Sequence, residues 1–173
     1  PANAALMAGQ MQRAVDLLTR VDVSTASPAE RGVQRSSQAV ALFWLGRAQE
    51  AQALIAEAAN EICDALNTGA ETCLRARWLN LEINLAAGDR QKSIAALKLL
   101  QNSSADPSML PAYAQLIAPD AKQAKTELEA LLLKWAASKS RGRERFVLMR
   151  RALSVMRFCQ LTNQPKLAEQ ARF

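Results

Sequence analysis

The sequence predicts an all-α fold, a stack of antiparallel helical hairpins forming a TPR-like superhelix (an α-solenoid) of about four to five units. Three observations predict it. Half of the 173 residues are apolar but only 5% are aromatic, and Gly and Pro number six each. Ala and Leu dominate that apolar half, and they lose little on entering a helix, whereas strands favour β-branched and aromatic side chains. Apolar residues then recur at three- and four-residue spacing for most of the chain. Finally, one turn pattern returns several times, always with a small residue five positions later.

The elements follow in order. A stub, Pro1–Ala8, leads to the Gly9-Gln10 turn. The next well-marked helix carries Val40, Phe43, Trp44 and Leu45 on its apolar face and ends at Gly46. Its partner repeats Ala51, Leu54, Ile55, Ala58 and Ile62 at helical spacing. After the Asn67-Thr68-Gly69 break, Leu74, Trp78, Leu81 and Leu85 step by four, three and four, and Gly88-Asp89 closes that helix. Ile94, Leu97 and Leu100 form the face of its partner. The polar cluster Asn102–Pro107 predicts a loop. Pro111 suits the first turn of a short helix, and Pro119-Asp120 opens a long one through Leu128, Leu131, Leu132 and Trp135. Beyond Ser138–Gly142 a last long helix carries Phe146, Met149, Leu153 and Met156. Asn163-Gln164-Pro165 interrupts it. The three tryptophans, Trp44, Trp78 and Trp135, fall on apolar faces and are expected in the core.

Four junctions share one design. Gly9, Gly46, Gly88 and Asn163 each precede a small residue by five positions: Ala14, Ala51, Ser93 and Ala168. Gly or Asn permits a left-handed turn, and a small side chain lets the second helix approach the first. The first three turns lie roughly 40 residues apart, and the last step is roughly twice that, so a degenerate unit turning at Pro119 fills the gap. Around these turns, Leu6–Val21, Leu45–Asn60 and Leu85–Leu100 resemble the tetratricopeptide repeat. The longer units look more like the hairpins of bacterial MalT-type regulators. That resemblance implies a cytoplasmic module that binds a protein or senses a ligand for a larger regulatory protein. Arg141-Gly142-Arg143-Glu144-Arg145-Phe146, with Leu153, Cys159 and Leu167-Ala168, resembles the terminal helices of TssA/ImpA-type components of type VI secretion. This second likeness implies a structural, ring-forming role and a symmetric oligomer. The chain starts and stops inside repeats, so a fragment of a longer protein is expected: one helical-repeat domain over 1–173 with a basic terminal hairpin at 134–173.

The chemistry that composition excludes is broad. The sequence has no histidine, which removes Ser-His-Asp and Cys-His catalysis, His-ligated zinc and a histidine pH switch. No phosphate loop, dinucleotide fingerprint or metal-ligand cluster is present, so no cofactor, no metal and no enzymatic activity are expected. No apolar run approaches the roughly 18 residues of a membrane span, and no signal peptide is visible. Cys63, Cys73 and Cys159 make neither an even framework nor a C-x-x-C pair, which favours three buried thiols and a reducing compartment over a Cys63–Cys73 bridge. Glu57, Glu61 and Asp64 share a helix face without a catalytic companion.

Two surfaces remain as candidates. The chain carries +6 overall, yet Lys134, Lys139, Arg141, Arg143, Arg145, Arg150, Arg151 and Arg157 face Glu144 alone between positions 134 and 157. The rest of the chain is therefore close to neutral. Arg143, Arg150 and Arg157 are spaced by sevens and form a ridge of roughly 20 Å. A solvated helix face accounts for such a ridge most simply, with arginine stems covering apolar surface. An acidic protein or peptide is the next reading. Nucleic acid ranks last, because no aromatics interleave with the cations as a base-stacking platform requires. The second surface is Arg77, Asn80 and Asn84, with Arg75 and Glu82 alongside, where amide side chains suit an extended peptide backbone. Glu82 would repel a terminal carboxylate, which argues against chaperone-tail binding.

Overall fold

A computed structural model describes residues 2–67, 69–103, 110–118, 133, 137, 139 and 141–162, the side chains of Gln115 and Arg143 excepted. Among them the chain forms eight helices and no strand. These are α1 (Ala2–Met7), α2 (Met11–Thr19), α3 (Pro28–Trp44), α4 (Ala48–Ala65), α5 (Glu71–Ala86), α6 (Arg90–Gln101), α7 (Leu110–Ile117) and α8 (Gly142–Leu161). The chain divides into two compact units, Pro1–Ile83 and Asn84–Phe173. The expected helix from Pro119 through Trp135, the loop after Ser103 and the Asn163 turn lie outside the described residues.

The first unit is built on one hinge used twice. Gly9 and Gly46 adopt φ of 73° and 82°. At each, the glycine N–H donates three residues back (to the carbonyls of Leu6 and Phe43) and the following N–H donates five back, Gln10 to Ala5 and Arg47 to Leu42, at 2.9 Å in both cases. This is the Schellman cap, which satisfies the last carbonyls of the first helix while reversing the chain. The carbonyls of Gln10 and Arg47 then accept from Ala14 and Ala51, and both alanines are fully buried. The small residue sits one turn into the second helix, on its buried side.

Between the hairpins, α3 starts on a signal that apolar periodicity does not carry. Ser27 accepts from the Glu30 N–H and Glu30 accepts from the Ser27 N–H, a reciprocal capping box, with Pro28 in the first turn. From there α3 packs on α4 through Ala39, Leu42 and Phe43 against Ala51, Ile55, Ala58 and Ile62, all buried. Gly32 is where the two helices nearly touch: a Cβ there would lie 2.6 Å from Ile62 Cγ1 and 2.9 Å from the Ala58 carbonyl oxygen. Leu45, expected on this face, belongs instead to the turn and is exposed. Phe43 meets Trp44 edge to face at 5.5 Å.

The α4–α5 junction corrects the expectation of three separate thiols. Cys63 in the last turn of α4 and Cys73 in the first turn of α5 form a disulfide, their Cα atoms 4.8 Å apart. Ala59, Ile62 and Ala76 pack around it. Cys159 is the one of the three that stays a buried free thiol. Spacing in sequence could not show that the Asn67–Gly69 turn brings the two helix ends within bonding distance.

In the second unit the hinge appears a third time. Gly88 has φ 73°, its N–H donates to Leu85, Asp89 N–H donates to Asn84, and the Asp89 carbonyl accepts from Ser93. The Asp89 carboxylate also caps the Lys92 N–H at 3.0 Å, and Ser93 is fully buried. The expected face of α6 is partly corrected: Leu97 and Leu100 are buried, but Ile94 is exposed while Ser93 and Ala96 take the interior. Tyr113, Leu116 and Ile117 of α7 are buried as well. The end of α8 closes on the hinge, where a Cβ on Gly88 would lie 2.9 Å from Leu161 Cδ1. Arg90 stands over the Phe158 ring at 6.0 Å, within cation–π range.

Candidate functional site

Helix α8 turns a different side inward from the one its largest apolar residues predict. Ala152, Ser154, Val155, Phe158 and Cys159 are buried. The expected stripe of Phe146, Met149, Leu153 and Met156 is half-buried at best, and Met149 is 47% exposed. At about 100° per residue, Ala152, Val155 and Cys159 share one side. Phe146, Met149, Leu153 and Met156 fall on the neighbouring side, and Arg143, Arg150 and Arg157 fall beyond that. The buried side mixes small Ala152, Ser154, Val155 and Cys159 with the large Phe158, so residue size alone does not mark it.

The result is an incompletely covered apolar strip bordered by cations. Arg150 and Arg157 are half-buried. The side chain of Arg143 is outside the described residues, as are those of Lys134 and everything from position 163 onward. Arg145, Arg141 and Lys139 are exposed. Burial lowers the Arg157 pKa, yet an arginine stays protonated at neutral pH. Cys159 is fully buried on the same helix, and burial pushes its thiol up to about 11, which leaves little thiolate at neutral pH.

The second candidate surface takes a different form. Arg77 and Asn80 are half-buried on α5, Asn84 is 3% exposed and Glu82 is fully buried. Trp78, Leu79, Leu81, Ile83 and Leu85 are buried too, so the end of α5 is enclosed on every side rather than polar on one. Alternation of Asn and Glu with Leu and Ile conceals this, because a helix buried all round has no apolar stripe to detect.

A third group joins residues that periodicity leaves apart. Arg35 pairs with Glu57 at 3.2 Å and with Glu61 at 2.9 Å, and Arg31 reaches Glu61 at 3.5 Å. Arg31 and Arg35 are one turn apart on α3, and Glu57 and Glu61 one turn apart on α4, so the four charges interlock across the hairpin. Matching i,i+4 spacing of opposite charges was the available signal. Such partly exposed pairs contribute up to about 1 kcal/mol each, less than burying one Ile55, about 1.5–3 kcal/mol.

Among the described residues no group of three or more Cys, Asp or Glu side chains is placed to hold a metal ion. No described helix is long and apolar enough to cross a membrane. No family model matches the sequence, and no curated protein or solved structure is significantly similar to it.

Proposed function

We propose that this chain is a non-catalytic helical-repeat interaction module, a TPR-like stack of hairpins that holds an acidic, partly apolar protein segment along α8. The observation that carries the reading is the α8 surface itself. A strip of Phe146, Met149, Leu153 and Met156 left short of full burial lies beside the Arg143–Arg150–Arg157 register. Apolar contact and the cations would together supply the affinity, and the cations would also set orientation and on-rate. The thrice-repeated hinge at Gly9, Gly46 and Gly88 supports a repeat architecture, in which binding surfaces arise from helix faces rather than from a catalytic cleft. In the same reading the module belongs to a larger bacterial regulatory or assembly protein.

The test uses a defined probe. A fluorescent amphipathic helical peptide with one acidic and one apolar face is titrated with the full chain at low and high salt. Binding that weakens as salt rises, and that a peptide of the same composition with scrambled order lacks, supports the proposal. Equal binding of both peptides, or none at low salt, rejects it.

A further inference from the structure

The α4–α5 junction has no left-handed glycine, unlike the hinges at Gly9, Gly46 and Gly88. A turn and a covalent bond hold it instead. The Asn67 side chain accepts from the Gly69 N–H at 3.1 Å, and the Asn67 carbonyl accepts from the Ala70 N–H at 3.0 Å. That turn brings the end of α4 onto the start of α5, and Cys63 and Cys73, ten residues apart, meet across it. Cys73 is fully buried and Cys63 nearly so, with Ala59, Ile62, Ala76 and the half-buried Ala70 packed against the pair. The bond sits inside a small core of its own.

We propose that Cys63 and Cys73 form a maturation site, oxidised to a structural disulfide by thiol–disulfide exchange, and that the folded protein works in an oxidising compartment. This replaces the reducing, cytoplasmic setting that an odd cysteine count points to. Buried structural disulfides form and persist where the surroundings are oxidising, while cytosolic thiols are kept reduced. The oxidant is an external disulfide of the thiol-oxidase or oxidised-glutathione class. One cysteine thiolate attacks that disulfide, forming a mixed disulfide and releasing one donor thiolate. The second cysteine thiolate then attacks the protein sulfur of the mixed disulfide, closing Cys63–Cys73 and releasing the other donor thiolate. Two cysteine thiols are oxidised, one donor disulfide is reduced to two thiols, and the two cysteine protons end on the donor. Cys159 stays out of this exchange: it is fully buried, and a thiol pushed up to about 11 supplies almost no thiolate at neutral pH.

The full chain is produced twice, exported to a bacterial periplasm with an intact thiol oxidase and retained in the reducing cytosol. Samples are quenched in acid, alkylated while denatured without reductant, weighed and mapped. The expected result is one alkylated thiol, at Cys159, in the exported protein, with the Cys63 and Cys73 peptides linked until reduced. The cytosolic protein should take three alkyl groups and melt lower by roughly 5–15 °C. Three reactive thiols in the exported protein overturn the proposal. A single reactive thiol in the cytosolic protein overturns the compartment, and equal melting temperatures overturn the structural role. The Cys63→Ala/Cys73→Ala variant is a companion only, since the thiol count stands even if that variant fails to fold.

Discussion

Gly32 decides how near α3 and α4 lie, and two opposing effects set the result of replacing it. Alanine gains about 1 kcal/mol of helix propensity over glycine. Its Cβ, however, meets Ile62 Cγ1 at 2.6 Å and the Ala58 carbonyl oxygen at 2.9 Å, and overpacking of that kind costs about 1–3 kcal/mol. A backbone oxygen cannot rotate aside, so the cost prevails. Gly32→Ala is expected to lower unfolding stability by about 1 kcal/mol in urea titration, and a more stable variant would show that the helices separate freely. The hinge glycines give a second comparison. Gly9 and Gly88 share φ 73°, but a Cβ on Gly9 meets nothing within 4 Å, whereas one on Gly88 meets Leu161. Gly88→Ala should therefore destabilise more than Gly9→Ala, which carries only the left-handed strain of about 1–2 kcal/mol; equal losses would exclude the Leu161 contact. The glycine turns and their buried small partners were legible in the sequence because both follow from local backbone geometry. Gly32 was not, since its role depends on a helix thirty residues away.

Helices α3 and α8 show how far an element can be read from its own residues. The start of α3 is written locally, as Ser27-Pro28-Ala29-Glu30, although a search for apolar periodicity passes over it. Ser27→Ala should cost about 1 kcal/mol by removing the acceptor for the Glu30 N–H. Glu30 is held below the usual carboxylate range first by the Ser27 N–H and then by the Ser27 hydroxyl. With its folded pKa depressed, the contribution of this cap is present above the unfolded pKa and is lost as pH falls through the folded value. Carboxyl NMR of Ser27→Ala should show the Glu30 pKa rising part of the way back, since the backbone donor remains; an unchanged value would deny the hydroxyl any part. For α8 the sequence marks the helix but not its buried side. Large apolar residues were weighted over small ones, and the core instead takes Ala152, Ser154, Val155, Phe158 and Cys159. Phe158→Ala should cost about 3–5 kcal/mol, while Met149→Ala stays within about 0.5 kcal/mol. The reverse order in thermal melts would restore the Phe146/Met149/Leu153/Met156 face to the interior.

For the molecule as a whole, helical class and hinge positions are properties of short segments and were readable; the disulfide and the α3–α4 ion pairs are not. Cys63 and Cys73 bond because a turn juxtaposes two helix ends, and Arg31, Arg35, Glu57 and Glu61 interlock because two registers match across a hairpin. The polar residues of α5 mislead for the same reason: an enclosed helix can carry Asn84 and Glu82 when its surroundings accommodate them. The basic character of α8 was visible in composition, while its pairing with an incompletely covered apolar strip needed the buried side to be known. The central claim, that α8 holds an acidic protein segment, is tested most directly by affinity capture from nuclease-treated native lysate. The full chain is compared with its Arg143→Glu/Arg150→Glu/Arg157→Glu variant, whose helical content is first verified by circular dichroism. The account predicts a protein retained by the wild type, released as salt rises and absent from the variant. The same protein retained equally by both would contradict it, and so would its persistence on the wild type in high salt.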